Sequence, residues 1–144
     1  MSGKVIKLHF TIDAHDFSLA GEASSSTKKM LNQLGISPLI IKKAAIAMYE
    51  AEINAFIHAN GGEADVEIGV DRIVITVRDE GPGIADLDLA MQEGYSTAPD
   101  KVRELGFGAG MGLPNMKRYS DRLEIKTEVG RGTTVTMTVY VREG

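Results

Sequence analysis

Apolar residues recur along the chain with two periods, and the change from one to the other divides it into elements. KVIKLHFTI (4–12) alternates, with Val5, Leu8 and Phe10 set among polar neighbours, the pattern of a half-buried strand. From about Asp16 to Leu34 the apolar positions Phe17, Leu19, Ala20, Met30, Leu31 and Leu34 fit a helix, although SSST (24–27) weakens its middle. Gly35 stops that helix, and Ser37 and Pro38 offer an N-cap and a first helical residue for the next. The second helix should run from about Pro38 to Ala59 and end at Asn60-Gly61-Gly62.

Strand periods then return. ADVEIGV (64–70) and RIVITVRD (72–79), joined by a tight turn at Val70-Asp71, read as a hairpin. EGPGI (80–84) is a turn, and a short helix is expected near Asp86–Glu93. Residues 94–112, GYSTAPDKVRELGFGAGMG, hold five of the 16 glycines and form the longest segment without a clear period. So long a loop in a compact domain is usually functional or disordered. LPNMKRYSD (113–121) begins a helix, RLEIKTEV (122–129) is a strand, GRG turns, and TTVTMTVYV (133–141) alternates as the last strand. The order β-α-α-β-β-α-loop-α-β-β, with strands meeting through hairpins, predicts a two-layer α/β sandwich with helices on one face. A doubly wound parallel sheet would need a helix after every strand, and that alternation is missing.

Composition narrows the class. At 144 residues, 43% hydrophobic and 25% charged, the chain reads as one soluble globular domain spanning 1–144. A net charge of −4 argues against a general nucleic-acid binder. No apolar run approaches the roughly 18 residues of a membrane span, and MSGKVIKLHFTID lacks the core of a secretory signal. The absence of cysteine excludes disulfides, thiolate metal sites and cysteine nucleophiles. The expected location is the cytoplasm.

Three stretches could carry chemistry. In DEGPG, Asp79 ends a hydrophobic strand and could accept the exocyclic amine of a purine, with Gly81 and Gly83 removing side chains that would collide with a flat ligand. Taken alone, this motif fits a plain turn better. GFGAGMG (106–112) places glycines at every second position before a helix, a backbone N–H array suited to phosphate, or simply a flexible loop. It is neither a Walker A loop nor a Rossmann turn. In YEAEINAFIHAN, Glu50, Asn54 and His58 recur every four residues and so share one helical stripe. Asn54 could give Mg²⁺ an oxygen without adding charge, while Glu50 could take a proton from a hydroxyl attacking a phosphoryl group. His58 could orient a water or a phosphate, or could be a capping or core histidine. Glu52, off the stripe, is expected to face solvent.

The order of these stretches is more specific than any one of them. EAEIN (50–54), DEGPG (79–83), GFGAGMGL (106–113) and GTT (132–134) resemble the N, G1, G2 and terminal boxes of the GHKL, or Bergerat-fold, ATP-binding superfamily. Within it, NAFIHA and MGLPNMKRYSDRLEI are most similar to the bacterial anti-sigma factor serine/threonine kinases. EGYSTAP followed by LGFGAGMGLPNMKR is especially similar to the stressosome switch kinase of that group.

The resemblance implies a Bergerat fold with a mixed, mostly antiparallel sheet and a glycine-rich lid near 94–112. It further implies ATP or ADP with Mg²⁺ as ligands, and transfer of phosphate to a serine or threonine of a STAS-domain antagonist of an anti-sigma factor. Carried over by position, Glu50 is the general base, Asn54 the Mg²⁺ ligand and Asp79 the adenine anchor. Gly81 and Gly83 shape the base pocket, Gly108, Gly110 and Gly112 lie near the phosphates, and Thr133, ahead of Thr134, supports the adenine end. Ser96, Thr97, Lys101 and Arg103 are candidates for phosphate contacts. Two other functions share the fold: an ATP-gated anti-sigma binding module with little turnover, and a histidine-kinase catalytic domain. The latter predicts a dimerisation hairpin ahead of a domain that here begins almost at Met1. A sigma factor, a phosphatase and a homodimer partner are compatible with the resemblance; nucleic acid and membrane are not expected.

Overall fold

The computed structural model describes residues 5–15, 17–59, 61–84, 91 and 112–141. The helix expected near Asp86–Glu93, Met91 apart, and the 94–112 loop up to residue 111 lie outside the described residues. The described elements are strand β1 (Ile6–Asp13), a 3-10 turn (Phe17–Leu19), helices α1 (Glu22–Gln33) and α2 (Pro38–His58), strands β2 (Gly61–Ile68) and β3 (Arg72–Asp79), helix α3 (Gly112–Tyr119), and strands β4 (Arg122–Glu128) and β5 (Gly132–Tyr140).

Two boundaries differ from those expected by three residues or more. Helix α1 starts at Glu22 rather than near Asp16, because Gly21 takes a left-handed φ of 88° and closes off the 3-10 turn before it. SSST therefore falls in the first turns of α1, where Ser24 Oγ donates to the Gly21 carbonyl (3.0 Å). Strand β2 begins at Gly61 rather than Ala64, since Gly61 and Gly62 already pair with Asp13 and Ile12. The other signals act as expected. Gly35 N–H bonds the Asn32 carbonyl and Ile36 N–H that of Leu31, a Schellman end to α1. Ser37 and Pro38 open α2, although Ser37 makes no side-chain capping bond.

The strands form one sheet in the order β1-β2-β3-β5-β4, and every pairing is antiparallel. The sheet is therefore not mixed among the described strands: its chain path runs through hairpins and a β3-to-β5 pairing. Its inner face carries Ala64, Val66 and Ile68 of β2, Ile73, Ile75 and Val77 of β3, and Val135, Met137 and Val139 of β5, all buried. The helices pack on this face. Helix α2 lies between α1 and α3 and over the sheet, so it buries ten residues including Ala44, Ala47, Met48, Ala51 and Phe56. That three-sided burial is why its sequence is apolar almost all round. Leu31, Met48 and Met116 are fully buried, each worth roughly 1.5–3 kcal/mol. Among the described residues no helix is long and apolar enough to cross a membrane.

Candidate functional site

The site begins where the apolar face of the sheet runs out. Along β3 the inward positions are Ile73, Ile75, Val77 and then Asp79, and along β5 they are Val139, Met137, Val135 and then Thr133. On β4, Leu123 and Ile125 are followed by Thr127. Register places Asp79 opposite Thr133 and Thr133 opposite Thr127, so three polar side chains make the last rung of an otherwise hydrophobic face. Strand alternation turns Thr133 inward, where it is buried, and sends Thr134 to the other face.

This rung is tied together. The backbone N–H groups of Gly81 and Thr133 both donate to Asp79 Oδ1, at 2.9 and 3.2 Å. The hydroxyls of Thr127 and Thr133 share a hydrogen bond of 2.9 Å, and Thr127 Oγ1 also accepts from the N–H of Ile84 (2.8 Å). Among the described residues both bonds of Asp79 end on Oδ1, which leaves Oδ2 for another donor. A depression of about 330 Å³ opens beside the rung, lined by Asp79, Thr127, Gly132 and Thr133 together with Lys126, Glu128, Arg131 and Thr134.

Gly81 and Gly83 bring the turn after β3 into place. A Cβ on Gly81 would lie 2.4 Å from the Cβ of Ala59, just past the end of α2, and one on Gly83 would lie 2.5 Å from the Glu128 carbonyl oxygen. Gly83 also has a φ of 77°. The room these glycines provide is thus taken by the protein itself, closing the turn against α2 and β4, whereas the sequence suggested clearance for a ligand.

Helix α2 packs on the same sheet face as the rung. Glu50, Asn54 and His58 occupy one stripe about 12 Å long, and all three are half-buried. At the far end of the stripe His58 lies within electrostatic reach of Asp79; burial pushes its pKa down while the carboxylate pulls it up, and burial prevails. At the near end, Asn115 of α3 donates from Nδ2 to Glu50 Oε2 at 2.7 Å. Gly112 begins α3 with open space where its side chain would be. Thr97, Arg103, Gly108 and Gly110, with Ser96 and Lys101, lie outside the described residues.

Three polar residues of this region escape sequence reasoning. Glu52 does not face solvent: it is 2% exposed, and its carboxylate accepts from the N–H groups of Ala23 and Ser24, both at 3.0 Å. It caps the N-terminus of α1 from within the core, doing what the helix's own glycine N-cap cannot. Thr127 falls in the strand RLEIKTEV and Asn115 in the helix begun by LPNMKRYSD, and the sequence assigned neither a role. The available signal for Thr127 was its inward parity with Leu123 and Ile125; nothing local marks Asn115.

No cluster of three acidic or histidine side chains suited to a metal occurs among the described residues. A lone carboxamide such as Asn54 suits an ion held chiefly by the phosphates of a nucleotide.

Known proteins share this fold. Residues 41–143 match the family described as histidine kinase-, DNA gyrase B-, and HSP90-like ATPase. The chain is 28% identical to the serine/threonine-protein kinase RsbT of Bacillus subtilis, over 80% of this chain and 84% of the relative. It is 36% identical to the anti-sigma F factor of a Thermoanaerobacter species, over 66% of each chain. Among solved structures it resembles the RsbU and RsbW domains of Rv1364c from Mycobacterium tuberculosis, with a TM-score of 0.65 and 19% identity, over 96% of this chain and 34% of the other. It also resembles the mycobacterial sensor histidine kinase MprB, with a TM-score of 0.55 and 15% identity, over 96% and 100%. The match over residues 41–143 takes in most of α2, the polar rung and α3, and by it the chain belongs to the histidine kinase-, DNA gyrase B- and HSP90-like ATPase family, the GHKL group of ATP-binding domains.

Proposed function

We propose that this chain is an ATP-dependent serine/threonine protein kinase that phosphorylates and binds a STAS-domain antagonist in a partner-switching pathway controlling transcription. The observation that carries the reading is the pair of carboxylates on one line of the fold: Glu50 at the α3 end of the α2 stripe, and Asp79 at its His58 end. Such a line matches a nucleotide laid lengthwise, base at Asp79 and phosphates toward Glu50. Asp79 Oδ2 accepts the adenine amine, its orientation fixed by the two N–H groups on Oδ1. Thr133 and Thr127 stand beside the base. Asn54 would hold Mg²⁺, which when bound would neutralise phosphate charge. Thr97, Arg103, Gly108, Gly110 and Gly112 belong to the phosphate side of the site.

In the transfer step a serine or threonine oxygen of the antagonist attacks the γ-phosphorus and the bond from that phosphorus to the β–γ bridging oxygen breaks. Glu50 takes the hydroxyl proton, leaving ADP and a phosphorylated antagonist. The similarity to a protein named as a serine/threonine kinase supports this over other uses of the fold. The similarity to anti-sigma F factors favours a second role, nucleotide-dependent binding of a partner, which is compatible with the first.

Incubation with Mg·ATP and a STAS-domain protein encoded beside this chain's gene tests the proposal. Phosphate on a serine or threonine of that protein is expected; stoichiometric, nucleotide-dependent binding without transfer would leave only the second role. Glu50→Gln should abolish transfer while ATP still binds, and Asn54→Ala should weaken nucleotide binding only when Mg²⁺ is present. Normal transfer by both variants would refute the assignment.

A further inference from the structure

We infer that Asn115 is a positioning residue for Glu50, fixing Oε2 so that Oε1 is the oxygen that receives the proton; this rests on the kinase reading above. The contact is 2.7 Å, at the short end for an N–H donor to a carboxylate. Among the described residues it is the hydrogen bond that Glu50 makes. The terminal torsion of a glutamate is broad, so a carboxylate without a partner samples many orientations. One donor on one oxygen removes that freedom.

The donor is itself held. Leu113 and Met116 are buried against the core on either side of Asn115, and the Met116 carbonyl accepts from Ser120 Oγ at 2.6 Å. Helix α3 packs along α2, so the carboxamide is carried on a fixed surface and not on a free loop.

The choice of side chain also fits. Lysine or arginine at this place would pair with Glu50 and oppose its acceptance of a proton. A neutral carboxamide orients the carboxylate and leaves its charge in place. An error of about 1 Å in a reacting group costs roughly a hundredfold in rate, which sets the scale of what such a contact contributes.

Phosphoryl transfer from Mg·ATP to the STAS-domain protein, measured for wild type, Asn115→Ala and Asn115→Asp, tests this. Asn115→Ala should lower kcat about ten- to a hundredfold with KM for ATP within about twofold and the melting temperature nearly unchanged. Asn115→Asp keeps the shape but replaces the donor with a second carboxylate, and should lose at least as much; it serves if the alanine variant folds poorly. In the 15N spectrum of the wild type, the Asn115 side-chain amide should shift when Glu50 is replaced by Gln. An active wild type whose Asn115→Asp variant keeps its kcat overturns the inference alone. A loss confined to KM, or one that tracks the melting temperature, also overturns it by reducing Asn115 to packing. A wild type that transfers to no STAS-domain protein overturns the functional proposal, and this inference with it.

Discussion

Asp79 divides its two oxygens between the fold and the proposed ligand. Oδ1 collects two backbone N–H groups, so replacing the residue by asparagine preserves an acceptor for both if the amide oxygen takes that place. The amide then presents a donor where adenine also donates. Asp79→Asn should keep the fold and weaken ATP binding about ten- to a hundredfold, measured by titration calorimetry. His58, at the same end of the stripe, has its pKa held below the ordinary histidine value, chiefly by burial. Its unfolded form binds a proton first as pH falls, so the stability it contributes is present above about pH 6.5 and is lost as pH drops through the lower folded value. Melting temperatures at pH 7.5 and 5.5 should therefore fall further for wild type than for His58→Gln. Asp79, Glu50 and the glycines were legible in the sequence because their chemistry is local: a strand end, a four-residue spacing, a turn. Asn115 was not, because its partner Glu50 lies 65 residues away, and Thr127 was not, because its role shows only once β4 pairs with β5 and Ile84, 43 residues away, docks on it.

At the scale of elements, the informative case is Glu52. A glutamate between Ala51 and Ile53, off the Glu50–Asn54–His58 stripe, reads as a solvated position, and only the docking of α1 makes it interior. Glu52→Ala strips two buried N–H groups of their acceptor and should cost on the order of 2 kcal/mol or more in urea unfolding. Glu52→Gln, which keeps one acceptor, should cost less. The β4–β5 hairpin gives a second case. Gly132 has a φ of 127°, and a Cβ there would lie 2.1 Å from the Asp79 carbonyl oxygen. Gly132→Ala should thus lower the melting temperature and also loosen the Asp79–Thr133 pairing, so nucleotide affinity falls with it. Periodicity was sufficient for the existence and type of the described strands and helices. It failed at the start of α1, where a left-handed glycine and a borrowed cap outweigh side-chain pattern.

Taken whole, the molecule has one sheet face committed to the helices and one bearing charge. On the latter, His9, Asp65 and Arg78 join neighbouring strands, with contacts of 2.7 and 2.6 Å to Asp65, and the hydrogen bond from His9 is the foremost cause of a lowered Asp65 pKa. The proposed ligand site lies at one end of the committed face, where ligand contacts would bridge sheet and helices. Nucleotide at about a hundred times its dissociation constant should then stabilise the fold by roughly 2.7 kcal/mol, read as a rise of about 5–10 °C in melting temperature with Mg·ADP. The same end-to-end connection sets a mechanical condition on α2. Glu50 and Glu52 project roughly 200° apart around that helix, one engaged by α3 and the other by α1. Any turn of α2 about its axis must break a bond on both flanks at once. The helix therefore acts as a clamped spindle, and backbone amides between Glu50 and Phe56 should be among the slowest in the molecule to exchange with solvent.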